Sequence, residues 1–162
     1  AAAFHRTSME EWQRIQAVNV EGLVRCTQAV IGPMMKSAYG RIINIASIAG
    51  LRGGAYIAPY VASKHAVVGL TKSLSLEYAG TAVTFNAVCP GYVETAIVDN
   101  SVANIMAKTG RSREDALSEL TKTNPQGRLI QPEEVAETVA WLCSPLSGSV
   151  SGQAITISGG AI

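Results

Sequence analysis

Hydrophobic and polar positions switch between a helical and a strand-like period along this chain, and each switch marks an element. Thr7 and Ser8 each stand three residues before a glutamate, Glu10 and Glu11, so either pair can make a capping box. Behind it the pattern predicts one long helix to about residue 35, bent near Pro33. Its inward stripe is Trp12, Ile15, Gly22, Cys26 and Val30. Asn19 falls on the same stripe, where an amide is costly unless it is hydrogen-bonded. Residues 42–46 read as a short buried strand with Ser47 at its exit. Residues 50–59, with Gly53-Gly54, read as a flexible connection to a second helix over residues 60–78. Residues 83–89 are the next strand, stopped by Pro90-Gly91. Two short helices follow, over 97–108 and 113–123, the second capped by Ser112. Pro132, backed by Glu133 and Glu134, opens a helix that runs to Trp141-Leu142. Ala154–Ile157 is a last strand, closed by Gly159-Gly160.

This alternation of helices and strands predicts an α/β fold. The sheet is parallel and doubly wound, with helices packed on its faces. The helical stretch at 97–123 is an insert before the last core elements.

Composition narrows the picture. The chain has 162 residues, 48% of them hydrophobic and 15% charged, which suits a buried core rather than disorder. A formal net charge of +1 gives no footprint for nucleic acid or an anionic membrane. No apolar run reaches spanning length, and the start lacks the basic flank of a signal peptide. Cys26, Cys89 and Cys143 are far apart and read as reduced core residues of a cytoplasmic protein, with no metal site. Trp12 and Trp141 read as core aromatics. His5 carries no signal, and His65 reads as a surface or packing residue.

The candidate chemistry gathers at the carboxyl ends of the strands, where parallel sheets bind ligands. Ser47 and Pro90-Gly91 both lie at such ends. Tyr60 and Lys64 open the helix after Ser47, and their i, i+4 spacing sets phenol and ammonium on one helix face. A nearby cation favours phenolate, so such a tyrosine can exchange a proton with a substrate oxygen. A serine hydroxyl beside it can hold the same oxygen and stabilise developing charge.

Tyr60-Val61-Ala62-Ser63-Lys64 resembles the Tyr-x-x-x-Lys signature of the short-chain dehydrogenases/reductases. Ser47 stands thirteen residues before Tyr60, as in that family, and Asn19, within Val18-Asn19-Val20, matches its helix asparagine. The run from Asn86 through Pro90-Gly91 to Thr95 is similar to the family's Pro-Gly motif. Gly127-Arg128, the run from Pro132 to Ala136, Ser151-Gly152-Gln153 and Gly159-Gly160 resemble its tail. Ser158 departs from the aspartate often found there.

The resemblance implies a Rossmann-like fold, here only its later strands and helices, over residues 1–162. It implies Tyr60 as general acid/base, and Lys64 to lower its pKa and bind the nicotinamide ribose. Ser47 would hold the substrate oxygen, and Asn19 would anchor a water in the proton path through Lys64. Pro90, Gly91, Val93 and Thr95 would line the nicotinamide, and residues 97–123 would be a substrate lid. The cofactor would be NAD(H) or NADP(H), without metal, and the assembly a homodimer or homotetramer. The family's glycine-rich fingerprint and Asn-Asn-Ala-Gly motif are absent from the sequence, so the chain reads as the latter part of a longer protein. The motif wording is nearest to bacterial reductases of 3-oxoacyl thioesters or polyketide-like ketones. A second reading is a dehydrogenase of a small secondary alcohol or 3-hydroxy acid. A third is a fragment without catalysis that acts in assembly.

Overall fold

Capping sets where the first helix starts. In the computed structural model, which describes residues 2–162, Ser8 rather than Thr7 is the N-cap, its hydroxyl accepting from the Glu11 N–H at 3.1 Å. Helix α1 covers Met9–Gln16, a π-helical turn covers Ala17–Glu21, and helix α2 covers Gly22–Met35. The single long helix expected from the sequence is thus interrupted at Asn19, and α2 continues through Pro33. A π turn inserts one residue, and one residue is about 100° of rotation on a helix. The inward face of α2 is therefore Leu23, Thr27, Ile31 and Met34. Cys26 and Val30, expected inward, are exposed.

Among the described residues, three strands follow the expected order: β1 over Gly40–Ile45, β2 over Val83–Pro90 and β3 over Ala154–Ile157. All pairings are parallel and β2 is central. Every residue of β2 is buried, as a strand covered on both faces requires. Helix α3, Ala58–Glu77, covers one face together with α2. There Phe85 packs with Ile42, Ile31, Met34 and Tyr78, while Ala87 and Cys89 pack with Val67, Val68 and Leu23. The one amide on that face of β1, Asn44, is satisfied by the Thr71 hydroxyl of α3 at 2.8 Å. Helix α6, Pro132–Cys143, packs on β1 and β2. Arg41, on the alternate side of β1, reaches the Ser144 carbonyl at the end of α6. Leu142 is buried, whereas Trp141, expected in the core, is half exposed, and Cys143 is exposed.

Between β2 and α6 stand α4, Ala96–Thr109, and α5, Arg113–Thr121. Ser112 caps α5 by accepting from Asp115 N–H. The pair shares its own small core of Val98, Val102, Ala116, Leu120 and Leu129. Among the described residues, no helix is long and apolar enough to cross a membrane.

Candidate active site

The end of β1 and the start of α3 are brought together by a glycine. After Ile45 the chain passes through Ala46 to Ser47, whose hydroxyl accepts from the Ala49 N–H at 3.1 Å and caps a 3-10 turn, Ile48–Gly50. That turn is buried, and the connection expected over residues 50–59 starts at its last residue, with residues 52–56 exposed. It lies so close to α3 that a Cβ on Gly50 would stand 2.6 Å from the Lys64 carbonyl oxygen. Only a residue without a side chain permits this approach.

Pro59, in the first turn of α3, suits the start of a helix and stands one residue before Tyr60. Lys64, one turn on, sends its Nζ to the Ile45 carbonyl at 2.9 Å and lies 5.7 Å from the centre of the Tyr60 ring. The ammonium is thereby fixed between the tyrosine and the strand end that carries Ser47. Burial holds the Lys64 pKa below the ordinary lysine value, and the negative charge Cys89 would carry as a thiolate pulls the other way. Cys89, fully buried on β2, sits beside the Ser47 backbone; burial pushes its thiol up, and that backbone contact and the lysine charges partly offset it. A raised thiol is a poor nucleophile, which agrees with its reading as a core residue.

Asn19 donates from Nδ2 to the Ser63 hydroxyl of α3 at 3.0 Å, and Ser63 donates in turn to the Tyr60 carbonyl at 2.8 Å. Gln16, the residue just before the π turn, donates to the Pro59 carbonyl at 3.2 Å. The sequence reading treated Ser63 as a spacer within its motif. Its position three residues after Tyr60, on a helix, was the available signal for a back-bonded hydroxyl.

Pro90 and Gly91 stand beside β3, with Gly91 N–H donating to Ile157 O at 2.9 Å. Val93 forms a parallel bridge with Ile130. Thr95 is the N-cap residue of α4, and its exposed hydroxyl donates to Val93 O at 3.2 Å. The segment 91–95 is further tied down by the Gln131 amide, which donates to Glu94 Oε2 at 2.8 Å. Arg128 holds Glu134 through both guanidinium NH groups at 2.6 and 2.7 Å, and Glu134 also accepts from Gln131 N–H at 2.7 Å. A cleft of about 410 Å³ opens beside this network, lined by Glu94, Leu117, Thr121, Arg128 and Gln131. A smaller recess, about 90 Å³, adjoins Tyr60 between Glu11, Ile15 and Tyr56. His65 is exposed, with Nδ1 3.0 Å from Val61 O.

Comparison with known proteins gives the family. The family described as enoyl-(acyl carrier protein) reductase matches residues 1–161. The chain belongs to the short-chain dehydrogenase/reductase family. It is 44% identical to a putative ketoacyl reductase of Streptomyces coelicolor over 93% of this chain and 59% of that protein. It is 37% identical to 3-oxoacyl-(acyl-carrier-protein) reductase FabG of Vibrio cholerae over 96% of this chain and 59% of that protein. A crystal structure of a variant of actinorhodin polyketide ketoreductase with NADPH superposes with a TM-score of 0.93 at 42% identity, covering 99% of this chain and 62% of that one. The chain thus spans about three fifths of the length of these relatives.

Proposed function

We propose that the protein interconverts a ketone and a secondary alcohol with NAD(H) or NADP(H). The observation that carries this reading is the placement of Lys64 between Tyr60 and the strand end bearing Ser47. In reduction, Tyr60 gives its phenolic proton to the substrate oxygen; in oxidation it takes that proton back. The Lys64 cation faces the negative charge that proton transfer leaves on Tyr60. Ser47 donates its hydroxyl hydrogen to the same oxygen as charge develops there. A bound nicotinamide supplies or accepts the hydride.

The donors present fit the nicotinamide half of such a cofactor. An ammonium carries three donors, and Lys64 commits one to Ile45, leaving capacity for ribose hydroxyls. Pro90, Gly91, Val93 and Thr95 would hold the nicotinamide side. The sequence contains no glycine-rich loop for the pyrophosphate. Asn19 serves, in this reading, to anchor a water on the proton path to Lys64. Residues 97–123, which hold all of α4 but its first residue and the whole of α5, act as a substrate lid over a partial Rossmann-like domain, residues 1–162. Lid closure would exclude water from the reacting atoms. The assembly is a homodimer or homotetramer in the cytoplasm.

The substrate we favour is a 3-oxoacyl thioester or polyketide-like ketone, supported by the names of the ketoacyl reductases it resembles. The alternative, a small hydroxy acid, is supported by a 37% identical relative named D-beta-hydroxybutyrate dehydrogenase in Rhizobium meliloti. Steady-state rates with an acyl thioester and with a short 3-hydroxy acid separate the two. A clear preference for the hydroxy acid removes the first reading. Absence of saturable NADH and NADPH binding by the complete protein removes both.

A further inference from the structure

The second turn of α3 carries a hydroxyl that none of the preceding chemistry uses. Ser63 has no exposed surface, although it lies between Tyr60 and Lys64 on the same helix. Its hydrogen goes to the Tyr60 carbonyl at 2.8 Å, so its lone pairs are left to accept, and they accept from Asn19 Nδ2 at 3.0 Å. The chain Asn19 to Ser63 to Tyr60 therefore runs in one direction. It starts inside the π turn Ala17–Glu21, whose extra residue rotates the chain by a fraction of a turn and so sets the direction in which Asn19 faces. The parallel tie from Gln16 to the Pro59 carbonyl holds the neighbouring residue of the same turn. Two carbonyls of the α3 start are thus gripped by side chains from the α1–π segment, one directly and one through Ser63.

We propose that Ser63 is a positioning residue that couples the Asn19 turn to the setting of Tyr60. This rests on the proton-transfer reading of Tyr60. Removing the hydroxyl leaves the Asn19 amide without its partner and releases one of the two grips, so the phenol loses its fixed relation to Lys64. Such a change acts on the reacting geometry more than on substrate binding. A displacement of about 1 Å at a reacting group can cost about a hundredfold in rate.

The test is kinetic, on the complete protein. Ser63→Ala is expected to lower kcat about 10- to 100-fold with KM little changed. Ser63→Cys keeps the shape and a weak donor, and is expected to fall between Ala and Ser. Asn19→Ala and Ser63→Ala are expected to be non-additive, the double variant being no slower than the worse single one. Tyr60→Phe is measured alongside. An inactive Tyr60→Phe with a wild-type kcat in Ser63→Ala, or with losses that add in the double variant, overturns the assignment to Ser63 alone. Full activity in Tyr60→Phe overturns the function itself and this inference with it.

Discussion

The Lys64 ammonium donates to the Ile45 carbonyl at 2.9 Å, which fastens the side chain of α3 to the end of β1 two residues before Ser47. A point cation on a flexible stem can make this bond and still face the Tyr60 ring. A guanidinium is planar and larger, and cannot hold both relations in the same space. Lys64→Arg is therefore expected to lose most of the activity, and Lys64→Met about 10²- to 10⁴-fold in kcat/KM, the range for removing assistance to proton transfer. In wild type, burial lowers the Lys64 pKa, so the cation is lost at a lower pH than a free lysine would lose it. Activity should fall on the alkaline side below the ordinary lysine value of 10.5. A pH–rate profile of wild type and both variants checks this, and a Lys64→Met protein with wild-type rates would remove the cation from the mechanism.

Ser47 caps its own turn by accepting from Ala49, so its hydrogen remains free to point outward. Ser47→Ala deletes a donor aimed at developing charge. The expected loss is about 10²- to 10³-fold in kcat, with a smaller change in KM. Steady-state kinetics decide it: a loss confined to KM would make Ser47 a binding residue only.

The strands and most helix limits were legible because their periods are clean: β3 was placed to the residue, and α3 and α6 within two. The π turn was not. From Gly22 to Met35 the chain is apolar on most sides, so the stripe through Cys26 and Val30 and the stripe through Thr27 and Ile31 both satisfy a helical period. One inserted residue selects the second, and nothing in the local pattern announces an insertion. Trp141 misled for a related reason, since the adjacent Leu142 fills the inward position and the larger ring is left outside. The nearness of Lys64 to Tyr60 and to the strand end before Ser47 was legible because their spacing is local. Ser63 was not, because its partner Asn19 lies 44 residues away. The tie between Glu94 and Gln131 spans 37 residues and was equally hidden.

Gly50 gives a prediction about how the site is assembled. Its backbone is not left-handed, so the constraint is space: an added Cβ would meet the Lys64 carbonyl at 2.6 Å and the Val68 side chain at 3.1 Å. A backbone oxygen in a helix cannot swing aside. Gly50→Ala should force the Ser47 turn away from α3 and cost about 1–3 kcal/mol, the usual range for overpacking. Urea unfolding measures the stability, and kcat should fall with it, because Ser47 moves with the turn. An unchanged midpoint together with unchanged kcat would show that the two elements are not in close register.

Arg128 and Glu134 allow a prediction with a defined pH window. The guanidinium hydrogen bonds, aided by the Gln131 N–H, push the Glu134 pKa down to about 2 from an ordinary 4.5. A carboxyl whose pKa is lower when folded stabilises the fold most when it is ionised in both states. The contribution is therefore complete above about pH 4.5, declines as pH falls, and is gone below about 2. Arg128→Met removes the larger cause and leaves the Gln131 N–H, so the Glu134 carboxyl should titrate between about 2 and 4.5, as read by carbon-detected NMR. The gap in melting temperature between wild type and Arg128→Met should be constant at neutral pH and close steadily from pH 4.5 downward. A gap that keeps its neutral size in strong acid would mean that Arg128 stabilises the protein by packing its stem, with the ion pair adding nothing.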